Sequence, residues 1–386
     1  MNMGPLHGIQ VLDVSSFLAG PVAAMQLGDM GAAVIKIEPP GGDLARGWSP
    51  FLNGEGRYFL GWNRNKRGMV LDLTKPESRE VLHELVRRSD VLIENFRLGV
   101  TKRLGMDYET LREINPRLIY ASSTAFGSRG PDAARPGYDP VLQCLGGVAH
   151  LNARHNGGTP AIASVAVSDF QAAMQIVMGV CAALYHRERT GEGQKIETSL
   201  LQAVMAVQSH HFVEGLDCEQ DGGLGIFPYQ LFPTSDSLIF IAAGTDKFWR
   251  LLCEALGEAE LGRDPRYSTN GQRVAHADEL RERLGPLLVA RSTAEWQNLL
   301  ITAGVPCGAV QTHKEFFADR QVIAMGQDLV VEHPGAGRLR MSGMTVDFEK
   351  TPGTLGRAAP RLGEHTREIL EELGLKMDIL SSKETS

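Results

Sequence analysis

Along the first half of the chain, short apolar runs alternate with longer segments of helical periodicity. Gly8 to Asp13 reads as a buried strand. Ala19-Gly20-Pro21 breaks it, Val22 to Met30 reads as a helix closed by Gly31, and Ala33 to Glu38 reads as a second strand. That is a βαβ unit, which favours a parallel, Rossmann-like sheet with ligands at the carboxyl ends of its strands. The alternation continues. Asn63 to Gly68 is a polar turn, Met69 to Leu73 a strand, Pro76 to about Arg88 a helix, and Asp90 to Phe96 a strand. Tyr108 to Ile114 and Leu118 to Ala121 repeat helix and strand, and a Gly/Pro-rich loop covers Phe126 to Pro140.

The stretch from Gly157 to Ser199 organises the rest. A Gly-Gly-Thr-Pro turn precedes an apolar run, Ala161 to Val167, expected to be buried. A small-residue helix should start near Asp169, with Ser168 or Asp169 as cap and Gly191 and Gly193 at its exit, followed by a strand at Gln194 to Glu197. Spacing alone makes Asp169 a helix cap. The other reading is chemical: a carboxylate at a helix N-terminus, held ionised by the helix dipole, can attack an activated acyl group.

Beyond Ser199 a helix should run to about Gly215, and Asp221 to Pro233 reads as a linker or loop. The pattern then changes. Leu238–Ala242 and Val305–Val310 read as strands, and Phe248–Leu256, Arg281–Val289 and Ala294–Ala303 as helices. Residues 1–225 are therefore expected to form most of a large domain and 226–325 a smaller α/β domain. Residues 326–386, with β-like segments and a helix from Glu364 to Leu373, are expected to return to the large domain.

A chain of 386 residues with 43% hydrophobic content can bury a large core. The net charge of −7 and the lack of a basic run argue against nucleic acid as a partner. Five scattered cysteines fit reduced thiols better than a disulfide frame or a zinc site. No signal peptide is evident and no apolar stretch was expected to reach membrane-spanning length, so a cytoplasmic protein without a membrane partner is the expectation. The three-glycine dinucleotide fingerprint, the phosphate loop and the Gly-x-Ser-x-Gly elbow are all missing. His210-His211 is read as structural, because adjacent residues point to different helix faces.

Many short pieces in one order resemble the family III CoA-transferases. They include Gly8-Ile9 with Val11-Leu12-Asp13, Ala19-Gly20-Pro21, Val34 to Pro39, Gly42-Asp43 with Arg46, and Asn65-Lys66-Arg67. Glu94-Asn95-Phe96, Asn115 to Ile119, Gln143 with Gly146-Gly147, Asp169, Thr190-Gly191, Val305-Pro306-Cys307 and Leu362 to Thr366 continue the series. The resemblance implies a Rossmann-like large domain built from both chain ends, a small central α/β domain, and ring-shaped subunits interlocked in a homodimer. It implies that Asp169 is the catalytic nucleophile: it attacks an acyl-CoA, CoA thiolate leaves, and an aspartyl mixed anhydride forms. Passage through an aspartyl-CoA thioester then turns an acceptor carboxylate into the new acyl-CoA. Acyl-CoA and a small carboxylic acid are the implied substrates, with no metal and no permanently bound cofactor.

The implied CoA contacts are Leu18, Ala19, Leu71, Leu73, Thr74, Asn95, Phe96, Arg103 and Tyr138. Arg97, Arg129 and Arg135 are candidates for pairing an acceptor carboxylate, since guanidinium grips it in a bidentate way. The chain departs from formyl-CoA transferase at Leu18, Pro39 and Pro136, and Gly222-Gly223-Leu224-Gly225 is a shorter candidate for its shielding glycine loop. These departures point away from formate and oxalate; short dicarboxylates such as succinate, malate-like acids or mesaconate are the candidate acceptors, with carnitine-like acids still open. Two alternatives stand beside transfer: a 2-methylacyl-CoA racemase of the same fold, or a non-catalytic CoA-binding protein. Racemisation needs acid–base groups on both faces of the α-carbon, and the matching positions hold Tyr138 and a site near Thr245, which suit that poorly.

Overall fold

The computed structural model describes residues 4–153, 156–213 and 225–380. They fall into two compact units, one of residues up to 213 together with those from 324 onward, the other ending at 323.

The first unit is built on a parallel sheet of β1 (Gln10–Asp13), β2 (Ala33–Glu38), β3 (Lys66–Val70), β4 (Val91–Glu94), β5 (Ile119–Thr124) and β6 (Lys195–Ser199). Their spatial order is β3-β2-β1-β4-β5-β6, all parallel. This mixed α/β architecture reverses direction between β1 and β4, and the crevice there is where open α/β sheets bind ligands. On one face pack α1 (Ala19–Asp29) and a later helix, Val167–Thr190, through Val22, Ala23, Leu27, Ala173, Ile176, Val180 and Ala183. On the other, α2 (Pro76–Arg87), α3 (Tyr108–Ile114) and the C-terminal helix Thr366–Glu372 cover Leu12, Ile35, Met69 and Leu92.

Several boundaries differ from expectation for physical reasons. Ala19-Gly20-Pro21 opens α1 rather than ending a strand. Pro21 sits in the first turn, where its missing N–H costs nothing. A Cβ at Gly20 would fall 2.2 Å from Ser15 Oγ, so this close approach requires glycine. β3 begins at Lys66, inside the presumed polar turn, and ends at Val70. Lys66 and Lys36 are fully buried strand residues. Lys66 Nζ donates to Asp13 Oδ2 (2.7 Å), Asn63 Oδ1 (2.7 Å) and the Pro21 carbonyl (2.8 Å). Lys36 Nζ lies 3.6 Å from Asp13 Oδ2 and 3.1 Å from Asp43 Oδ2. Burial alone would raise the Asp13 carboxyl, but the two ammonium groups hold it below its ordinary value. Burial pushes Lys66 down to about 8 despite Asp13.

The long helix is 24 residues and, by length and apolarity, could cross a membrane, which corrects the expectation that no stretch reaches that length. Here its small residues form a packed face against the sheet and α1. The presumed buried run before it is an irregular segment with Ile162 and Val165 exposed.

In the second unit, part of the presumed linker is strand β7 (Tyr229–Pro233), antiparallel to β8 (Leu238–Ala242), which also pairs with β9 (Cys307–Ala309). Its core gathers Trp249, Tyr267, Leu284, Leu288 and Trp296 under helices that include Asp246–Ala255, Ala277–Val289 and Thr293–Thr302. A last hairpin, β10 (Leu329–His333) with β11 (Gly337–Met341), belongs to the first unit.

Removing one partner of the buried Asp13–Lys66 pair leaves an uncompensated charge. Lys66→Met is therefore expected to lower the unfolding free energy by about 3–5 kcal/mol. Urea denaturation checks this, and a midpoint equal to that of the parent would contradict it.

Candidate active site

A cavity of about 770 Å³ opens at the carboxyl ends of β1, β4 and β5. It is within the range of small-molecule sites. Its floor comes from Ser16 to Ala19 after β1, Asn95 to Leu98 after β4 and Ser123 to Ala125 at the end of β5. Asn95 ties two of these loops together: its Oδ1 accepts from Ser16 N–H (2.8 Å) and its Nδ2 donates to the Ser16 carbonyl (2.6 Å). Phe17 then takes a left-handed backbone, φ 66°, uncommon for so bulky a residue. Its N–H donates to Asp43 Oδ1 at 3.2 Å, so the strained turn is anchored to the charged core beneath it. A row of aromatic rings forms one wall, Tyr138–Phe17–Trp48–Tyr58–Trp62, with successive centroids 5.7, 5.1, 6.3 and 5.2 Å apart.

Asp169 lines the same cavity. Its helix, α5, begins at Val167 with Ala166 as its N-cap residue, so Asp169 is a first-turn residue and not the cap. The carboxyl is also not held ionised as the helix-dipole reading supposed. Burial, aided by the negative charge of Asp139, pushes it up to about 7.

Asp139 opens the short helix α4 (Asp139–Leu145). Its Oδ1 accepts from Ser168 N–H (2.7 Å) and Ser168 Oγ–H (2.8 Å), which fixes the residue next to Asp169. Its Oδ2 accepts from Gln143 Nε2 at 2.6 Å. Sequence reading missed this role of Asp139, although the i,i+4 spacing of an acid and an amide just after a Gly/Pro loop was a usable signal.

Of the residues singled out from the sequence, the cavity brings together Leu18, Ala19, Asn95, Phe96, Arg97, Arg135, Tyr138 and Asp169. Leu71 lies fully in the core beneath the sheet end. Leu73 packs partly against the same core, and Thr74 binds Asp72 on the exposed side. Arg103 is an exposed end of the short helix Val100–Arg103, and Arg129 is exposed on a loop; neither lines the cavity. Arg135 is engaged with Asp132 at 3.2 Å and lies over the Phe126 ring. Arg97 is exposed at the cavity and forms no ion pair among the described residues. Thr245 caps a helix of the second unit, its Oγ1 accepting from Phe248 N–H. The His210 and His211 rings lie side by side in a short helical turn, tilted by 40° with centroids 4.0 Å apart, and not on different helix faces as expected. No cluster of metal-ligating side chains occurs among the described residues. Gly222 to Leu224 of the proposed shielding loop lie outside the described residues.

A model of CoA-transferase family III matches residues 6–366. A succinate–glutarate CoA-transferase of Agrobacterium fabrum is 38% identical, with 96% of each chain covered. A succinyl-CoA:mesaconate CoA-transferase of Haloarcula hispanica is 36% identical over 97% of each. The crystal structure of a CAIB/BAIF family protein from Brucella suis superposes with a TM-score of 0.83, at 35% identity, covering 97% of this chain and all of that one. The chain belongs to CoA-transferase family III.

The raised Asp169 carboxyl has a consequence for stability. An unfolded aspartate has its ordinary value of 3.8, so between about 4 and 7 the native state holds the extra proton, and stability falls as pH rises through that window. Asp169→Asn should therefore be more stable than the parent above pH 7, by about 1–2 kcal/mol after allowance for partial solvent screening. That gain should shrink towards pH 4. Thermal unfolding across pH 4–8 measures it, and a difference independent of pH would contradict the assignment.

Proposed function

We propose that the enzyme moves CoA from a succinyl-CoA-like donor to a short dicarboxylic acid, with Asp169 as the nucleophile. The observation that carries this reading is a partly buried carboxylate in a cavity at the sheet's switch point, in a chain of this family. The named activities of the relatives, on glutarate and mesaconate, support the substrate class.

The ionised Asp169 oxygen adds to the thioester carbonyl, the C–S bond breaks, and CoA leaves as thiolate. The product is a mixed anhydride between Asp169 and the donor acid. Thiolate attack on the aspartyl carbonyl releases the donor carboxylate and leaves an aspartyl-CoA thioester. The acceptor carboxylate attacks that thioester, forming a second anhydride and freeing the thiolate again. Attack of the thiolate on the acceptor carbonyl gives the new acyl-CoA and restores Asp169. No redox change occurs, and each step exchanges one acyl bond for another. An aspartate with a value near 7 is a better nucleophile once ionised than an ordinary one, and neutral pH still ionises a large share of it.

The aromatic wall suits the pantetheine arm of CoA, and Leu18, Ala19, Asn95, Phe96 and Tyr138 are the proposed contacts within the cavity. Arg103 is retained as a contact for the distal nucleotide end. Arg97, with its guanidinium unengaged by any acid among the described residues, is the better acceptor-carboxylate partner than Arg135 or Arg129. The enzyme is proposed to be a homodimer, so light scattering should return about twice the 42.0 kDa chain mass.

Asp169→Asn should retain the fold and lose nearly all transfer. Mass spectrometry of the parent after succinyl-CoA addition should find an adduct on the peptide containing Asp169. Full transfer by Asp169→Ala would overturn the mechanism. Arg97→Ala should raise KM for glutarate about tenfold and leave KM for succinyl-CoA within about twofold, as expected from loss of one charged contact. Unchanged acceptor kinetics would remove Arg97 from the site.

A further inference from the structure

Next to Asp169 lies a buried polar relay whose parts all face one task. Asp139, Gln143 and Ser168 are 4%, 0% and 0% exposed, respectively. Gln143 Oε1 accepts from Ala163 N–H at 2.8 Å, and its Nε2 faces the carbonyls of Ala163 and Val165 at 3.3 Å each. One buried amide thus holds both polar edges of the irregular segment that forms the cavity wall at Ile162 to Ala166. Because the Ala163 N–H requires the amide oxygen, Nε2 must point at Asp139. Asp139 must then accept at both oxygens, since Ser168 presents two donors to the other one. Only a carboxylate satisfies all three donors. An asparagine there would set its NH₂ against a donor on one side or the other.

We propose that Asp139 and Gln143 are a positioning pair for the nucleophile. Asp139 fixes the turn that carries Asp169 and presents a like charge to it, while Gln143 locks the adjoining cavity wall to the same carboxylate. This rests on the reading of Asp169 as the nucleophile. The titratable groups sharing the cavity with Asp169 are Asp139 on α4, Arg97 after β4, Arg135 and Tyr138 on the Gly/Pro loop, and Tyr58. Of these, Asp139 is the one whose charge, added to burial, raises the Asp169 carboxyl. Geometry and charge therefore act in opposite senses. The pair holds the carboxylate in place for attack, and it also delays its ionisation as pH rises.

The test is steady-state transfer from succinyl-CoA to glutarate by the full-length enzyme between pH 5 and 9, with the fold checked by thermal unfolding. For Asp139→Asn the acid limb of kcat/KM should move about half a unit to one unit towards lower pH, because the repelling charge is gone. The plateau kcat should fall about tenfold to a hundredfold, because the turn is no longer held. KM for succinyl-CoA should stay within about twofold. Ser168→Ala, which removes one donor and keeps the backbone bond, should lower kcat severalfold without moving KM, and Ser168→Thr should restore it. If Asp139→Asn does not yield folded protein, the Ser168 pair decides. A limb and a plateau both unchanged in Asp139→Asn, or an unchanged kcat in Ser168→Ala, would overturn the proposal. Adduct trapping on the parent enzyme separates the two ideas. Absence of an adduct at Asp169 would sink the nucleophile assignment itself, whereas a normal adduct with indifferent variants would sink only the positioning pair.

Discussion

The structure depends on four charges buried under the carboxyl end of the sheet. Asp13, Lys36, Lys66 and Asp43 come from β1, β2, β3 and the loop after β2, and they sum to zero. Taking such groups out of water costs several kcal/mol per ion, and only close pairing offsets it. Pairing in turn demands register. Asp13 lies beside Lys36 in the β1–β2 ladder, and Lys66 lies beside Val34 in the β2–β3 ladder. A slip of one residue would turn these side chains away from α1 to the opposite face, among the apolar residues Leu12, Ile35 and Met69, and leave the charges unpaired there. The cluster therefore acts as a registration device at the strand ends where the cavity forms.

From this base the polar order continues upward. Asp43 touches Lys36 with one oxygen and accepts from the N–H groups of Phe17 and Ala45 with the other. Glu38, at the end of β2, accepts from Asp43 N–H and is gripped twice by Arg46, which also reaches the Pro360 carbonyl. The strained Phe17 turn, the aromatic wall and the tail of the chain are thus joined to one ionic foundation. On the far side of the cavity a second relay, Asp139 with Gln143 and Ser168, serves the Asp169 turn in the same manner. The Asp169 carboxyl sits between these two polar assemblies. Its own environment is apolar enough to raise its affinity for a proton. Fixed placement with poor solvation is what the proposed attack on a thioester would need, since little water then competes.

The order of strands and helices was legible because each element obeys a local rule. The apolar runs at Val11-Leu12 and Val34–Ile37, the proline at the start of α2 and the glycine at the end of α5 carry their own signals. From them follow the parallel α/β sheet and, with the short motifs, the family. The position of Asp169 within a helix start was legible for the same reason. What local pattern could not reveal was any residue whose role depends on a distant partner. Lys66 looked like part of a polar turn, because nothing nearby announces that Asp13, 53 residues earlier, neutralises it inside a strand. Tyr229–Pro233 looked like a linker, because its strand exists only by pairing with Leu238–Ala242. Asp169 read either as a helix cap or as a carboxylate held ionised by the helix dipole, because sequence shows neither the burial nor the Asp139 charge that raise its carboxyl. The sequence by itself determined periodicity and chemistry along the chain. The tertiary structure alone decided which charges were desolvated and which were paired, since solvation and Coulomb energy depend on distances that only the folded chain sets.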